Sequence, residues 1–160
     1  MEPLLVGMGE FHVADNTTQL MCVGLGSCVA IVLYDPKIRI GSVGHIMLPA
    51  RHEAKNQENP ARFADSSIEI MISKLKRHGA EPSRLKAKLY GGANMFPRLS
   101  KSSPLPIGER NVESARRELK KYHIEIVEED LGGSVGRSIV FDPSDGAVRV
   151  KYAGERVSHV

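Results

Sequence analysis

The 160-residue chain has no tryptophan, and aromatic residues make up only 5% of it. Few flat side chains are therefore on offer for bases to stack on, and basic and aromatic residues nowhere interleave as a nucleic-acid platform requires. Cys22 and Cys28 are the two cysteines, too few for a disulfide framework. No apolar run approaches the roughly 20 residues of a membrane span, and no basic stretch leads into an apolar core at the start of the chain. Neither sign of charge dominates: the net charge is +3. The basic residues gather around Lys74, Lys76 and Arg77, around Arg84, Lys86 and Lys88, and at Arg116, Arg117, Lys120 and Lys121, where they read as solvated faces. The expectation is one soluble cytoplasmic domain over residues 1–160 with reduced thiols, no nucleic-acid partner and no membrane insertion.

Against that plain background, Gly24-Leu25-Gly26-Ser27-Cys28 stands out, because it leads into the apolar run Val29-Ala30-Ile31-Val32-Leu33-Tyr34. The run is rich in β-branched residues and reads as a buried strand. Asp35-Pro36-Lys37 signals a turn, and residues 40–48 read as the returning strand. A turn centred between Pro36 and Lys37 pairs 35 with 38, 33 with 40, and so Cys28 with His45. Residues directly opposite share a face with Cβ atoms about 5 Å apart, whereas a one-residue slip would separate them onto opposite faces. A thiol beside an imidazole is a nucleophile with its base. Gly24 and Gly26 let the backbone bend, and the N–H groups of Gly26, Ser27 and Cys28 are candidate oxyanion donors. The bland alternative is a small buried cysteine and a hydrogen-bonded structural histidine.

The remaining segments read as strands and two helices. Residues 4–13 form a strand interrupted by Gly7 and Gly9, and 19–23 a second. Residues 50–59 are a polar loop. Asn59-Pro60 opens a helix over 60–78 that Gly79 stops. Residues 85–90 form a strand ending in Gly91-Gly92-Ala93-Asn94, a turn that lines the pocket rather than a phosphate loop, since it lacks the lysine and spacing of one. Residues 95–106 are irregular, 109–121 a helix with Val112, Ala115 and Leu119 inward, and 124–127 a strand. Glycine-rich 131–136 precedes a closing hairpin over 138–141 and 147–152. The class is α+β: mostly antiparallel or mixed sheets with two outer helices. No cysteine–histidine spacing supports a metal site. Cys22 and Cys28 are alternatively a thiol redox pair.

Taken together, Gly24 to Ala30, Gly44-His45-Ile46-Met47-Leu48-Pro49, Lys88 to Phe96, Ile107-Gly108-Glu109-Arg110-Asn111 and Asp130-Leu131-Gly132-Gly133 resemble the CheD family of chemoreceptor glutamine deamidases. The resemblance runs through nearly the whole chain. It implies an α/β sandwich related to the catalytic domain of cytotoxic necrotizing factor toxins. It implies deamidation of receptor glutamine to glutamate without a cofactor, with the nucleophile on Cys28 and the base on His45. It also implies partners: the helical signalling domains of methyl-accepting chemotaxis receptors, and the phosphatase CheC. One position departs. The family's third active-site residue, a threonine six places before the nucleophile, is Cys22 here. A thiol is a weak hydrogen-bond partner, so a backbone carbonyl, Ser27 or Asn94 is the expected substitute for orienting His45. The rival reading of the same departure is a non-catalytic regulator that binds receptors or CheC.

Overall fold

The computed structural model describes residues 2–95 and 106–154. The strands are β1 (Leu4–Leu5), β2 (Phe11–Ala14), β3 (Leu20–Leu25), β4 (Val29–Asp35), β5 (Ile40–Ile46), β6 (Lys86–Gly91), β7 (Glu125–Leu131), β8 (Arg137–Asp142) and β9 (Ala147–Tyr152). The α-helices are α1 (Ala64–Arg77) and α2 (Ile107–Lys121). They build three layers. A four-stranded sheet, ordered β1-β3-β8-β9, covers one face of a five-stranded sheet ordered β2-β5-β4-β6-β7. Both helices pack on the other face of the five-stranded sheet. Each sheet is antiparallel except at one parallel edge, β1–β3 and β6–β7. The α+β class with mixed sheets is as expected. No helix among the described residues is long and apolar enough to cross a membrane.

The central position of β4 explains its unbroken apolar sequence. It is buried at every residue, because Val29, Ile31 and Leu33 face the helices while Ala30, Val32 and Tyr34 face the second sheet. Burying each large aliphatic side chain contributes about 2 kcal/mol. The helices answer with one apolar stripe each: Ile68, Met71, Ile72 and Leu75 from α1, and Val112, Ala115 and Leu119 from α2.

Several expectations change in detail. The first strand is two strands in different sheets, so residues 6–10 cross from one sheet to the other. The helix expected over 60–78 begins as a 3-10 turn, Pro60–Arg62, capped by the Asn59 side chain, which accepts the Ala61 N–H. Phe63 is then extended, with φ −110° and ψ 138°, since Leu48 pairs with it across an isolated bridge. Residues 51–53 of the expected polar loop form a 3-10 turn. β7 runs past the expected 124–127 through Glu128, Glu129 and Asp130; at a sheet edge those side chains find cationic partners. The irregular segment expected over 95–106 falls mostly outside the described residues.

Candidate active site

The hairpin β4–β5 sets the site, and its register differs from the expected one. Asp35 pairs with Ile40 and Ala30 with His45, so Cys28 does not lie opposite His45. The connecting loop is residues 36–39, centred one residue later than the proline suggested, and Arg39 adopts a left-handed φ of 55°. Asp35 pins this longer turn: its carbonyl accepts the Arg39 N–H at 3.0 Å and its carboxylate the Lys37 N–H at 3.1 Å. Moving the centre by one residue moves the pairing by two, which preserves the face. Cys28, just before β4, therefore still packs into the core between the sheets, on the face that carries His45, one diagonal step away.

His45 is 2% exposed. Its Nδ1 lies 3.1 Å from the Val6 carbonyl oxygen. A carbonyl can only accept, so Nδ1 carries the proton and Nε2 is left with its lone pair. Nε2 is buried and has no hydrogen-bond partner. Burial holds the imidazole below its ordinary range, against the opposing pull of the Val6 carbonyl and the Glu10 carboxylate. The crossing segment also fixes the His45 backbone: its N–H donates to the Glu10 carbonyl at 3.0 Å and its carbonyl accepts from Gly9 N–H at 2.9 Å. The orienting group is thus a backbone carbonyl. Cys22 lies fully buried in β3 of the facing sheet; desolvation, and secondarily the nearby Cys28, push its thiol up to about 12.

Cys28 is half-buried. Burial raises its thiol above the usual value, while its own backbone N–H, which bears on the sulfur, works the other way. No hydrogen bond joins the Cys28 sulfur to His45 among the described residues. The loop before Cys28 is strapped to the end of β6. Gly92 N–H donates to the Cys28 carbonyl at 2.8 Å and Ala93 N–H to the Gly26 carbonyl at 2.8 Å. Gly91 has φ +106°, and a Cβ there would sit 2.3 Å from the Cys28 carbonyl oxygen, so only glycine allows this approach. Asn94 N–H donates to the Gly133 carbonyl at 2.9 Å. The Gly24 bend is a bulge: Cys22 pairs with Ile139 and Leu25 with Arg137, with Gly24 at φ +68°. A cleft of about 480 Å³ opens beside it, lined in part by Gly24, Gly26, Met95, Arg137 and Tyr152.

Two positions that bear on the site were given no role by the sequence. Val6 acts through its carbonyl, which no side chain announces. Asn111, fully buried in α2, donates from Nδ2 to the Ser27 carbonyl at 2.9 Å and to the Met47 carbonyl at 3.0 Å. It joins the loop before Cys28 to the chain just beyond His45. Its signal was available: an asparagine at the buried edge of an apolar helical stripe disfavours the helix and needs a reason to be there.

A family described as CheD, chemotactic sensory transduction, matches residues 47–152, a span that begins just past His45. A protein of Syntrophomonas wolfei subsp. wolfei named "Probable chemoreceptor glutamine deamidase CheD" is 44% identical over 149 residues, 93% of this chain and 92% of its own length. One of the same name from Caldanaerobacter subterraneus subsp. tengcongensis is 45% identical over 157 residues, 98% and 97% of the two chains. Another from Thermococcus kodakarensis is 45% identical over 146 residues, 91% and 90%. Among solved structures, the Bacillus licheniformis hypothetical protein YfiH superposes with a TM-score of 0.44 at 16% identity, over 78% of this chain and 49% of that one.

Proposed function

The chain belongs to the CheD family, and from that premise we propose that it is a protein-glutamine deamidase of chemoreceptors using Cys28 as nucleophile and His45 as base. The observation that carries the chemistry is the fixed tautomer of His45: Nδ1–H held by Val6, Nε2 buried and unpartnered on the face shared with Cys28. A buried lone pair of this kind waits for a proton.

In this reading His45 Nε2 removes the proton of Cys28 as the sulfur attacks the glutamine carboxamide. The carbonyl oxygen becomes an oxyanion, held by the Cys28 N–H. No described residue accepts a hydrogen bond from the N–H of Gly26 or Ser27, and the Cys28 N–H bears only on its own sulfur, which supports this loop as the donor set. His45 returns its proton to the departing ammonia, leaving a thioester. Water, deprotonated by the same imidazole, attacks it and releases glutamate and the free thiol. With the thiol raised by burial and the imidazole lowered by it, the resting pair is neutral, and the proton moves only during attack. The diagonal step between the groups must close then, as catalytic pairs do when substrate arrives.

The partners in this reading are the helical signalling domains of methyl-accepting receptors, with CheC as a second binding partner. The test incubates the full chain with a receptor signalling domain and follows glutamine-to-glutamate conversion by peptide mass spectrometry. Conversion that Cys28→Ala abolishes is the expected result. Receptor binding without conversion overturns the proposal in favour of a non-catalytic regulator.

A further inference from the structure

We propose that Asn111 is a positioning residue that aims the Cys28 N–H at the oxyanion by gripping the carbonyl of the same peptide group. The inference rests on Cys28 being the nucleophile.

The argument begins with the peptide plane. The carbonyl of Ser27 and the N–H of Cys28 belong to one planar unit, and in the trans form they point in opposite directions. Asn111 Nδ2 donates to that carbonyl at 2.9 Å. It does so from α2, on the helix side of the five-stranded sheet. The N–H is thereby turned away from the helices, toward the core between the sheets, where Cys28 packs. That this N–H bears on the Cys28 sulfur agrees with the direction. A hydrogen bond received at the carbonyl also polarises the peptide and makes its N–H a better donor.

The second hydrogen of the same amide anchors the grip. It goes to the Met47 carbonyl at 3.0 Å, two residues beyond His45, so one side chain ties the nucleophile's loop to the chain just past the strand that carries the base. Packing alone does not explain the residue. Asn111 is fully buried within a helix and its Oδ1 has no partner, a cost that an apolar side chain would avoid. Ser114, one turn on, provides the contrast. Its hydroxyl donates to the Pro49 carbonyl at 2.5 Å, a tether of similar kind that does not touch the Cys28 peptide.

The test reads Cys28 directly, through its rate of alkylation by iodoacetamide across pH, with Cys28→Ala as blank because Cys22 is buried. An N–H turned toward the sulfur favours the thiolate. In Asn111→Ala the alkylation midpoint is expected to rise by about one pH unit, and kcat on the receptor domain to fall about 100-fold with KM nearly unchanged. Ser114→Ala is expected to lower Tm while leaving midpoint and kcat within about twofold. Should Asn111→Ala not fold, Asn111→Asp keeps the shape and replaces the donor with an acceptor facing two carbonyls, and the same rise is expected. If Asn111 variants lose only Tm, as Ser114→Ala does, or lose nothing, the proposal falls. If the wild-type chain leaves receptor glutamines untouched, deamidation fails as a reading. The alkylation midpoint still decides then: a rise upholds the grip of Asn111 on the Cys28 peptide, and an unchanged midpoint overturns it.

Discussion

The two ends of the β4–β5 hairpin are built to different standards. At the closed end the Asp35 carboxylate is fully buried and fully answered: it accepts from the N–H groups of Lys37 at 3.1 Å and Glu81 at 3.0 Å, and from Arg84 through both Nε and a terminal nitrogen, at 2.8 Å for the closest contact. Burial pushes this carboxyl up, but the Arg84 guanidinium and the backbone donors outweigh it and hold it below its ordinary value. At the open end the accounts are left open. Among the described residues the buried side-chain atoms without a partner are Ser42 Oγ, His45 Nε2, Asn111 Oδ1 and Arg137 Nε. Of these, His45 and Asn111 stand beside the Cys28 loop, and Arg137 pairs with Leu25 at its start. The fourth, Ser42, sits opposite Leu33 nearer the turn; the closed end fixes the register, and three of the four unanswered atoms gather toward the other. Unanswered buried groups are costly and persist where something else requires them.

The comparison is broken most completely at the open end. Cys28→Ala and His45→Ala should each remove at least about a thousandfold of deamidation activity. Cys28→Ala should do so with Tm almost unchanged, because the thiol is only half-buried. Peptide mass spectrometry and a melting curve on the same preparation separate the two effects. The closed end answers in the reverse way. Asp35→Ala strands Arg84 and two backbone N–H groups, and should cost on the order of 3 kcal/mol in denaturant unfolding. Activity per folded molecule should survive unless the register slips, and a slip would carry His45 off the Cys28 face.

How far the site was legible in the sequence follows the same division. The layers, the buried β4 and the amphipathic helices were readable because side-chain periodicity records which faces meet apolar neighbours. The shared face of Cys28 and His45 was readable because strand geometry has a period of two. Their direct opposition was not, since it depends on where the turn is centred. Pro36 marks a turn, but the centre is set by Asp35, whose partners Glu81 and Arg84 are distant in sequence. What orients His45 was open for a similar reason: residues 6–10 cross between sheets, and a carbonyl delivered by a crossing leaves no mark in residue identity.

A smaller effect comes from the buried imidazole. Its folded value is lowered, chiefly by burial, so the unfolded chain binds a proton more readily. Stability from neutral His45 is therefore fully present above the ordinary histidine value of about 6.5 and is lost as pH falls below it toward the folded value. Between about pH 7.5 and about pH 5.5, the wild-type chain should lose more Tm than His45→Gln, whose side chain does not titrate across that window. Equal losses in the two proteins would mean that the imidazole charges without penalty and that Nε2 is wetter than its burial indicates.

The smallest expected change concerns Cys22, six places before Cys28, where the resemblance implies a threonine. If a side chain at this position were needed to orient the base, Cys22→Thr should raise kcat by about tenfold or more. The Val6 carbonyl already occupies Nδ1 at 3.1 Å, and one nitrogen with one proton needs one acceptor. A threonine hydroxyl would enter the core between the sheets, where Cys22 is fully buried among Leu20, Ala30 and Ile139, and would have to find its own partner or go without. The expectation is therefore a kcat within about threefold of wild type and a loss of about 1 kcal/mol in stability. A large gain in kcat with no loss of stability would show that the carbonyl is a makeshift and that the open end of the hairpin was waiting for a hydroxyl.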